Sequence, residues 1–493
     1  MLTLKNNKTY ITWTAICIFF LMLIAVSISF FFLSKESLRL DESQSLWQTS
    51  HSFRTILHII ALDVHVPLYH SLLHYWEILF GNGVASSRVL SLIFFVLAIP
   101  SLYLLALRAY EDKAVALFAT SIFALSPFMN WYGSEIRMYS LFVLLAIVSH
   151  YFFLGIYKYG DHYSHSMYTI IALLGIFTHY FFFFVLLVQG IFFIVFRKVF
   201  FPNTFNRLMI TVLILAIAFS PWAYYVWSLG SASTSRPLLP NPDSINIFNA
   251  LAEFFIGFQN TDLNSIIISS WPLSVLVFFL ALRKHNHISK ETWYFIFSAF
   301  IPMILVYIIS SAWRPLYTSR YLIFTAPAFY MIISSIISSY HKPIATLFKS
   351  IIILGIVFTL SMQLLSADIP VKENYSEATA YLNTHVSGDD IIIVSAPFTI
   401  YPIEYYYKGK ADLKTIPEWD RSSTGGIPPF NEETFPADIR RLANGYRKMW
   451  VILSYDQGYE SKINQYMETH YQLLEERKFS KNLIIYEYQL RYD

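Results

Sequence analysis

Apolar runs long enough to cross a bilayer recur from the N-terminus to about residue 366, and such a chain must satisfy its backbone polar groups within helices or a closed barrel. The runs are continuous rather than alternating, which selects helices over an outer-membrane barrel. Composition agrees: 56% of the 493 residues are apolar and only 14% are charged, against roughly a quarter charged in soluble domains. The single cysteine, Cys17, lies inside the first run, so neither an intrachain disulfide nor a cysteine-based metal site is available.

Eleven spans are expected: Ile11–Leu33, Ala85–Leu107, Ala114–Trp131, Tyr139–Tyr157, Met167–Thr178, Tyr180–Phe196, Leu208–Trp227, Ile266–Leu282, Trp293–Trp313, Tyr321–Ser339 and Ala345–Leu365. The pair around His179 also reads as one broken helix and its return. The first span is too long for a cleavable signal core and reads as an anchor. Basic residues in short loops orient the set. With the N-terminus inside, Lys5, Lys8, Arg108, Lys113, Lys158, Arg197, Lys198, Arg207, Arg283, Lys284, Lys290, Lys342 and Lys349 all fall on the cytoplasmic side. An odd number of spans then puts the tail outside, with the loops 34–83 and 228–265.

Charge divides the chain at the same point. Residues 1–366 hold 21 basic and 13 acidic groups, a net +8, and residues 367–493 hold 14 and 19, a net −5. The expected organisation is an all-α polytopic membrane bundle over residues 1–366, including a first outer loop at 34–84, and a small extracytoplasmic α/β domain over residues 367–493. In the tail, helical spacing at Tyr375–His385, Glu432–Tyr446 and Glu460–His470 alternates with buried-strand patterns at Asp390–Ser395, Met449–Ser454 and Leu483–Tyr488. It contains no Gly-rich phosphate loop, nucleophile elbow or His-Glu-x-x-His helix.

Ionisable groups at the edges of apolar spans are costly and point to function. Five clusters fall on the outer side. Asp41 and Glu42, just after the first span, suit a general base and a group that orients it, or the acidic first turn of a helix. His65 precedes the helix-opening Pro67 and can donate to a phosphate, whereas His70 and His74 read as filler of an interfacial helix over Leu68–Phe80. Glu135 and Arg137, flanked by aromatics, can form a structural ion pair or leave the arginine an edge for an anion. Thr178-His179-Tyr180-Phe181 is a polar break in a very apolar region. Arg314 and Arg320 either snorkel to lipid headgroups or clamp a phosphate. No basic stripe with interleaved aromatics supports nucleic-acid binding.

The ordered motifs resemble GT-C glycosyltransferases, in the bacterial branch similar to protein O-mannosyltransferases and lipid A aminoarabinose transferases. They are Leu40-Asp41-Glu42, His65-Val66-Pro67-Leu68-Tyr69, Ser87-Arg88-Val89-Leu90-Ser91, Ser134-Glu135-Ile136-Arg137-Met138-Tyr139, Thr178-His179-Tyr180-Phe181 and Ser319-Arg320-Tyr321-Leu322. The resemblance covers most of residues 1–340, and the set is specific as an ordered whole. One departure is the family's His-Pro-Pro, which reads His65-Val66-Pro67 here; the helix-opening proline remains, and only the approach to it is less rigid.

The resemblance implies a GT-C bundle, a polyprenyl-phosphate-linked sugar as donor, and a hydroxyl acceptor on an envelope glycan, lipid or protein, at the outer face of the plasma (inner) membrane. Asp41 matches the family's base and Glu42 its acidic neighbour. His65, Arg137 and Arg320 are then expected at the donor phosphate, and Glu135, Tyr69, Tyr139, His179 and Tyr321 around the substrate. A divalent metal is permitted but not demanded by the spacing. Two readings compete: a transporter or flippase of an anionic lipid, with arginines lining a route, and an envelope scaffold in which the tail matters most.

Overall fold

The chain was analysed as a computed structural model that describes residues 2–33, 36–63, 65–230, 239–258, 288–366 and 373–490. Two compact units divide it. The first comprises Met1–Leu33, His65–Tyr225 and Pro237–Pro370, and the second Ser34–Val64, Val226–Arg236 and Val371–Asp493. The outer loop that carries Asp41 and Glu42 therefore belongs to the same unit as the tail.

The first unit is helical. In chain order it contains Leu2–Phe32, Pro67–Phe80, Val84–Tyr110, Lys113–Leu125, Pro127–Gly133, Tyr139–Tyr159, His162–Ile176, Phe182–Val195, Thr204–Ser228, Ser244–Ile256, Lys290–Ala312, Ala326–Ser338 and Lys342–Leu365. Among the described residues, six helices are long and apolar enough to cross a membrane, or seven if the bent pair Lys113–Leu125 and Pro127–Gly133 is one span. Apolar side chains such as Ile217 and Leu354, 65% and 68% exposed, are what a lipid-facing helix surface requires. The protein is an integral membrane protein.

Among the described residues the count of eleven is not confirmed. Six of the expected segments coincide with the six long helices, and Ala114–Trp131 is the bent pair. His162–Ile176 and Phe182–Val195 have only 15 and 14 residues, and Tyr321–Ser339 is cut back to a 3-10 turn, Ile323–Thr325, followed by Ala326–Ser338. Ile266–Leu282 lies outside the described residues. Apolarity continues past these helix ends, so hydropathy overstates their length. The break at His179 is local chemistry: the His179 Nδ1 accepts from the Phe181 backbone N–H at 3.0 Å. Gly175 allows the close approach, since a Cβ there would collide with the Phe182 ring.

The 61° bend has an equally specific cause. Ser126 precedes Pro127, which has no N–H to continue the ladder, and the Ser126 Oγ accepts from the Met129 N–H at 3.2 Å to start a new helix. The Asn130 Nδ2 donates to the carbonyls of Ala124 and Ser126, both at 2.9 Å, and so satisfies backbone groups freed by the bend. The same point anchors Ser244–Ile256, because Ser126 Oγ and Tyr330 OH both donate to the Phe254 carbonyl, at 2.9 and 2.5 Å.

Deep in the bundle a polar network joins four helices. Tyr168 OH donates to Gln189 Oε1 at 2.9 Å, Gln189 Nε2 donates to Ser149 Oγ at 3.0 Å, and His150 Nδ1 and Tyr294 OH are hydrogen-bonded at 2.5 Å. All five side chains are buried. Where lipid cannot supply partners, such contacts specify which helices pair.

The second unit is a three-layer α/β sandwich. Its strands are β1 (Ile391–Ser395), β2 (Asp412–Thr415), β3 (Lys448–Ser454), β4 (Gln472–Ser480) and β5 (Leu483–Gln489), in the order β2-β1-β3-β5-β4. β1 runs parallel to β2 and β3, and β5 antiparallel to β3 and β4. Alternation sends Ile392, Val394, Trp450 and Ile452 to one core, and Ile391, Ile393, Met449 and Val451 to the other. The second core is covered by Phe435–Ala443 and Glu460–His470. The first is covered by Tyr375–His385 and Ile400–Tyr406, and Leu40 and Trp47 of the outer-loop helix Leu40–Thr49 pack against it. Two strands carried no readable pattern: β2 has four residues, and β4 is an exposed edge bearing Glu475, Glu476, Arg477 and Lys478.

Replacing Gln189 by Leu leaves the Ser149 and Tyr168 hydroxyls without this partner, and is expected to lower the stability of the detergent-solubilised protein by about 1 kcal/mol. Thermal unfolding followed by tryptophan fluorescence measures it, and an unchanged midpoint would mean the network does not stabilise helix pairing. Trp47 packs against Tyr401 at 5.3 Å, and the Arg421 guanidinium lies 4.7 Å from its ring. Trp47→Ala should therefore raise hydrogen exchange in both Leu40–Thr49 and Ile400–Tyr406; exchange confined to the first helix would contradict their shared core.

Candidate active site

Proline at the first helical position starts Pro67–Phe80, and the Leu68 N–H, which has no partner within its own helix, donates to the Phe177 carbonyl at 2.9 Å. This ties the His65 segment to the polar break at Thr178-His179. One residue on, Tyr69 OH is hydrogen-bonded to Ser91 Oγ at 2.7 Å, and Ser91 Oγ donates weakly to the Arg137 carbonyl at 3.4 Å. Three motifs far apart in sequence thus meet through the backbone and hydroxyls of their own residues.

The charged side chain follows its backbone. Arg137 Nη2 lies 2.9 Å from His65 Nε2, and both residues are buried. The guanidinium can only donate, so Nε2 accepts and the imidazole carries its proton on Nδ1. The His70 ring stacks on His65 at 5.5 Å and is buried, not spread along an interface as its sequence context suggested. Arg88 is buried too, and its Nη1 donates to the Leu33 carbonyl at 2.9 Å, at the end of the first helix.

An aromatic series continues from this pair. The Arg137 charge reaches His179, whose ring stacks on Phe142 at 4.6 Å and 1°. Tyr139 and Tyr321 lie 6.5 and 5.9 Å from His179, and the Arg320 guanidinium is 5.4 Å from the Tyr321 ring centroid. Tyr132 meets Tyr139 edge-on at 5.2 Å and lies within electrostatic reach of Glu135, Arg320 and Glu253. In the first unit, then, His65, Tyr69, Glu135, Arg137, Tyr139, His179, Arg320 and Tyr321 belong to one connected cluster.

Asp41 and Glu42 occupy the first turn of Leu40–Thr49 in the second unit. Their surroundings differ. Glu42 is fully buried, and its Oε2 accepts from the Arg39 backbone N–H at 3.0 Å, which closes the helix start. Asp41 is only half-buried. Asp63 holds the helix from the other side, accepting from Gln44 and Gln48 at 2.9 and 3.0 Å. Asp41 also lies near the exit of β3: burial, Glu373 and Asp41 together push the Tyr455 phenol up to about 12. One oxygen of Glu42, which the sequence reading placed with Asp41 in catalysis, is thus engaged in capping.

Two residues of the cluster escaped the sequence reading. Glu253 is the one acidic residue of the otherwise apolar helix Ser244–Ile256, a signal present in the sequence but hidden in what read as loop. Burial lifts its carboxyl to about 7, although a hydrogen bond with Ser319 lowers it. Tyr132 lies in the helix created by the bend at Ser126. Among the described residues, no group of three or more His, Cys, Asp or Glu is arranged to hold a metal ion.

No family model and no curated protein matches the chain. Solved structures do. ArnT from Cupriavidus metallidurans in the apo state aligns with a TM-score of 0.64 at 11% identity, over 98% of this chain and 98% of that one. Its form bound to undecaprenyl phosphate gives 0.63 at 11% identity, over 95% and 97%. The Archaeoglobus fulgidus oligosaccharyltransferase gives 0.52 at 13% identity, over 88% of this chain and 67% of that one. The arabinofuranosyltransferase AftD from Mycobacteria gives 0.52 at 14% identity, over 98% of this chain and 40% of that one. At these identities the likeness is one of fold, and the chain has the GT-C-type fold that its ordered motifs led one to expect.

Proposed function

We propose that the protein is a membrane glycosyltransferase that moves a sugar from a polyprenyl-phosphate donor to a hydroxyl acceptor on an envelope glycan, lipid or protein. The reaction takes place at the extracytoplasmic face of the plasma (inner) membrane, with the N-terminus cytoplasmic. The observation that carries this reading is the gathering of His65, Arg137, His179, Tyr321 and Arg320 in the membrane unit. The solved complex of ArnT with undecaprenyl phosphate supports a donor of that class.

In this mechanism Arg137, steadied by His65, and Arg320 receive the donor phosphate. Guanidinium groups offer planar, paired donors that match phosphate oxygens, and a site poorly accessible to water strengthens those contacts as charge develops. Asp41 takes the proton of the acceptor hydroxyl. The acceptor oxygen forms the new bond at the anomeric carbon as the bond to the phosphate oxygen breaks, and the lipid leaves as polyprenyl phosphate. A single displacement of this kind inverts the anomeric centre. Glu42 acts on Asp41 by closing the turn that carries it.

Purified protein in lipid nanodiscs, supplied with polyprenyl-phosphate sugars and an envelope glycan extract, provides the test through release of polyprenyl phosphate. Asp41→Asn should slow release about 10²- to 10⁴-fold, the usual contribution of a general base. Glu42→Gln keeps an oxygen acceptor for the Arg39 N–H and should lose far less. Equal losses in the two variants would remove the distinction between base and cap. Wild-type protein that translocates the lipid and never cleaves the sugar–phosphate bond would replace this reading with a flippase.

A further inference from the structure

Among the buried polar atoms of the first unit that have no hydrogen-bond partner within the described residues are Glu253 Oε2 and Tyr317 OH. Buried polar groups are almost always satisfied, so a pair left open in one place calls for an explanation. The Tyr317 phenol lies within electrostatic reach of the Glu253 carboxylate, and the Ser319 hydroxyl that meets this carboxylate is two residues along the chain from Tyr317. The site is built rather than accidental. Phe254, next in the chain, is fastened through its carbonyl to Ser126 and Tyr330 at the helix bend. Phe258 is held through its N–H, which donates to Gln363 Oε1 at 2.9 Å, while Gln363 Nε2 donates to the Pro127 carbonyl at 3.1 Å. The Glu253 carboxyl is itself steadied by the Ser319 hydroxyl, and Tyr317 packs edge-on against Tyr307 at 5.7 Å.

The two open atoms are complementary. A carboxylate oxygen accepts, and a phenol both donates and accepts. The hydroxyl groups of a sugar can donate to the first and accept from the second, pairings that neither a methylene nor a bare anion satisfies together. Position narrows the source of those hydroxyl groups: Ser319 adjoins Arg320, and Glu253 and Arg320 both act on Tyr132. A sugar attached to a phosphate at Arg320 would stand beside this pair.

We infer that Glu253 and Tyr317 form the subsite that reads a hydroxyl group of the transferred sugar while it is still attached to the lipid phosphate. This rests on the donor reading given above. The subsite discriminates between lipid-linked sugars and contributes to the binding of the sugar, not of the phosphate.

Equilibrium binding to the full-length protein in nanodiscs separates these terms. The probes are undecaprenyl phosphate and the same lipid phosphate carrying a hexose or a pentose. In the wild type at least one sugar-bearing lipid should bind more tightly than the bare lipid. Glu253→Gln and Tyr317→Phe should each reduce that preference by about 10- to 100-fold, the range for stranding a buried partner, while affinity for undecaprenyl phosphate stays within about threefold. Retained bare-lipid affinity also reports that each variant is folded. A sugar preference unchanged in both variants overturns the subsite and leaves the donor-phosphate reading standing. A wild type that prefers no sugar-bearing lipid overturns it as well, and a wild type that binds none of the three lipids overturns both. A variant that loses bare-lipid affinity along with the sugar preference assigns the pair to the phosphate, and also contradicts the inference.

Discussion

A guanidinium buried in a membrane protein must be held by polar partners, because the desolvation of a permanent charge costs several kcal/mol. Arg137 meets this demand in part through the His65 imidazole at 2.9 Å. Much of the first unit is arranged around that contact. The Pro67 helix start brings in His65, the Phe177 carbonyl ties that start to the His179 break, and Ser91 connects Tyr69 to the Arg137 backbone. Each of these segments appears modest in isolation. Together they bring buried polar groups from several separate motifs into one environment.

The acidic side of the chemistry is carried differently. Asp41 sits on a short helix whose apolar side chains, Leu40 and Trp47, pack against the core of the α/β sandwich. Leu38 N–H donates to Tyr406 OH at 3.0 Å, and Ser376 N–H to Ser37 Oγ at 3.1 Å, so the start of this loop is stitched to the tail. The tail is therefore more than an appendage: it is the body that holds the proposed base. On the proposed reading, the groups assigned to the donor phosphate lie in the first unit and the assigned base in the second.

Much of this was legible in the sequence, for identifiable reasons. Long apolar runs marked six of the helices, and the β-branched stretches at Ile391–Ser395 and Lys448–Ser454 marked the central strands. The ordered motifs located the cluster, because polar residues at the ends of apolar spans stand out. What was not legible depended on partners distant in sequence. Glu42 and Asp41 are adjacent, and only the Arg39 N–H tells the cap from the group left half-exposed. The bend at Ser126 is set by Asn130 satisfying carbonyls, which hydropathy cannot register. Glu253 stood in a stretch read as loop, and its significance comes from Ser319 and Tyr317, more than 60 positions away.

The central claim is a direct displacement in which one carboxylate serves as base and no enzyme-bound sugar forms. The anomeric configuration of the product tests it most directly. Nuclear magnetic resonance of the product from a polyprenyl-phosphate sugar of known configuration should report inversion at the anomeric carbon. Retention would require an intermediate covalently attached to the protein, and would contradict the role given to Asp41.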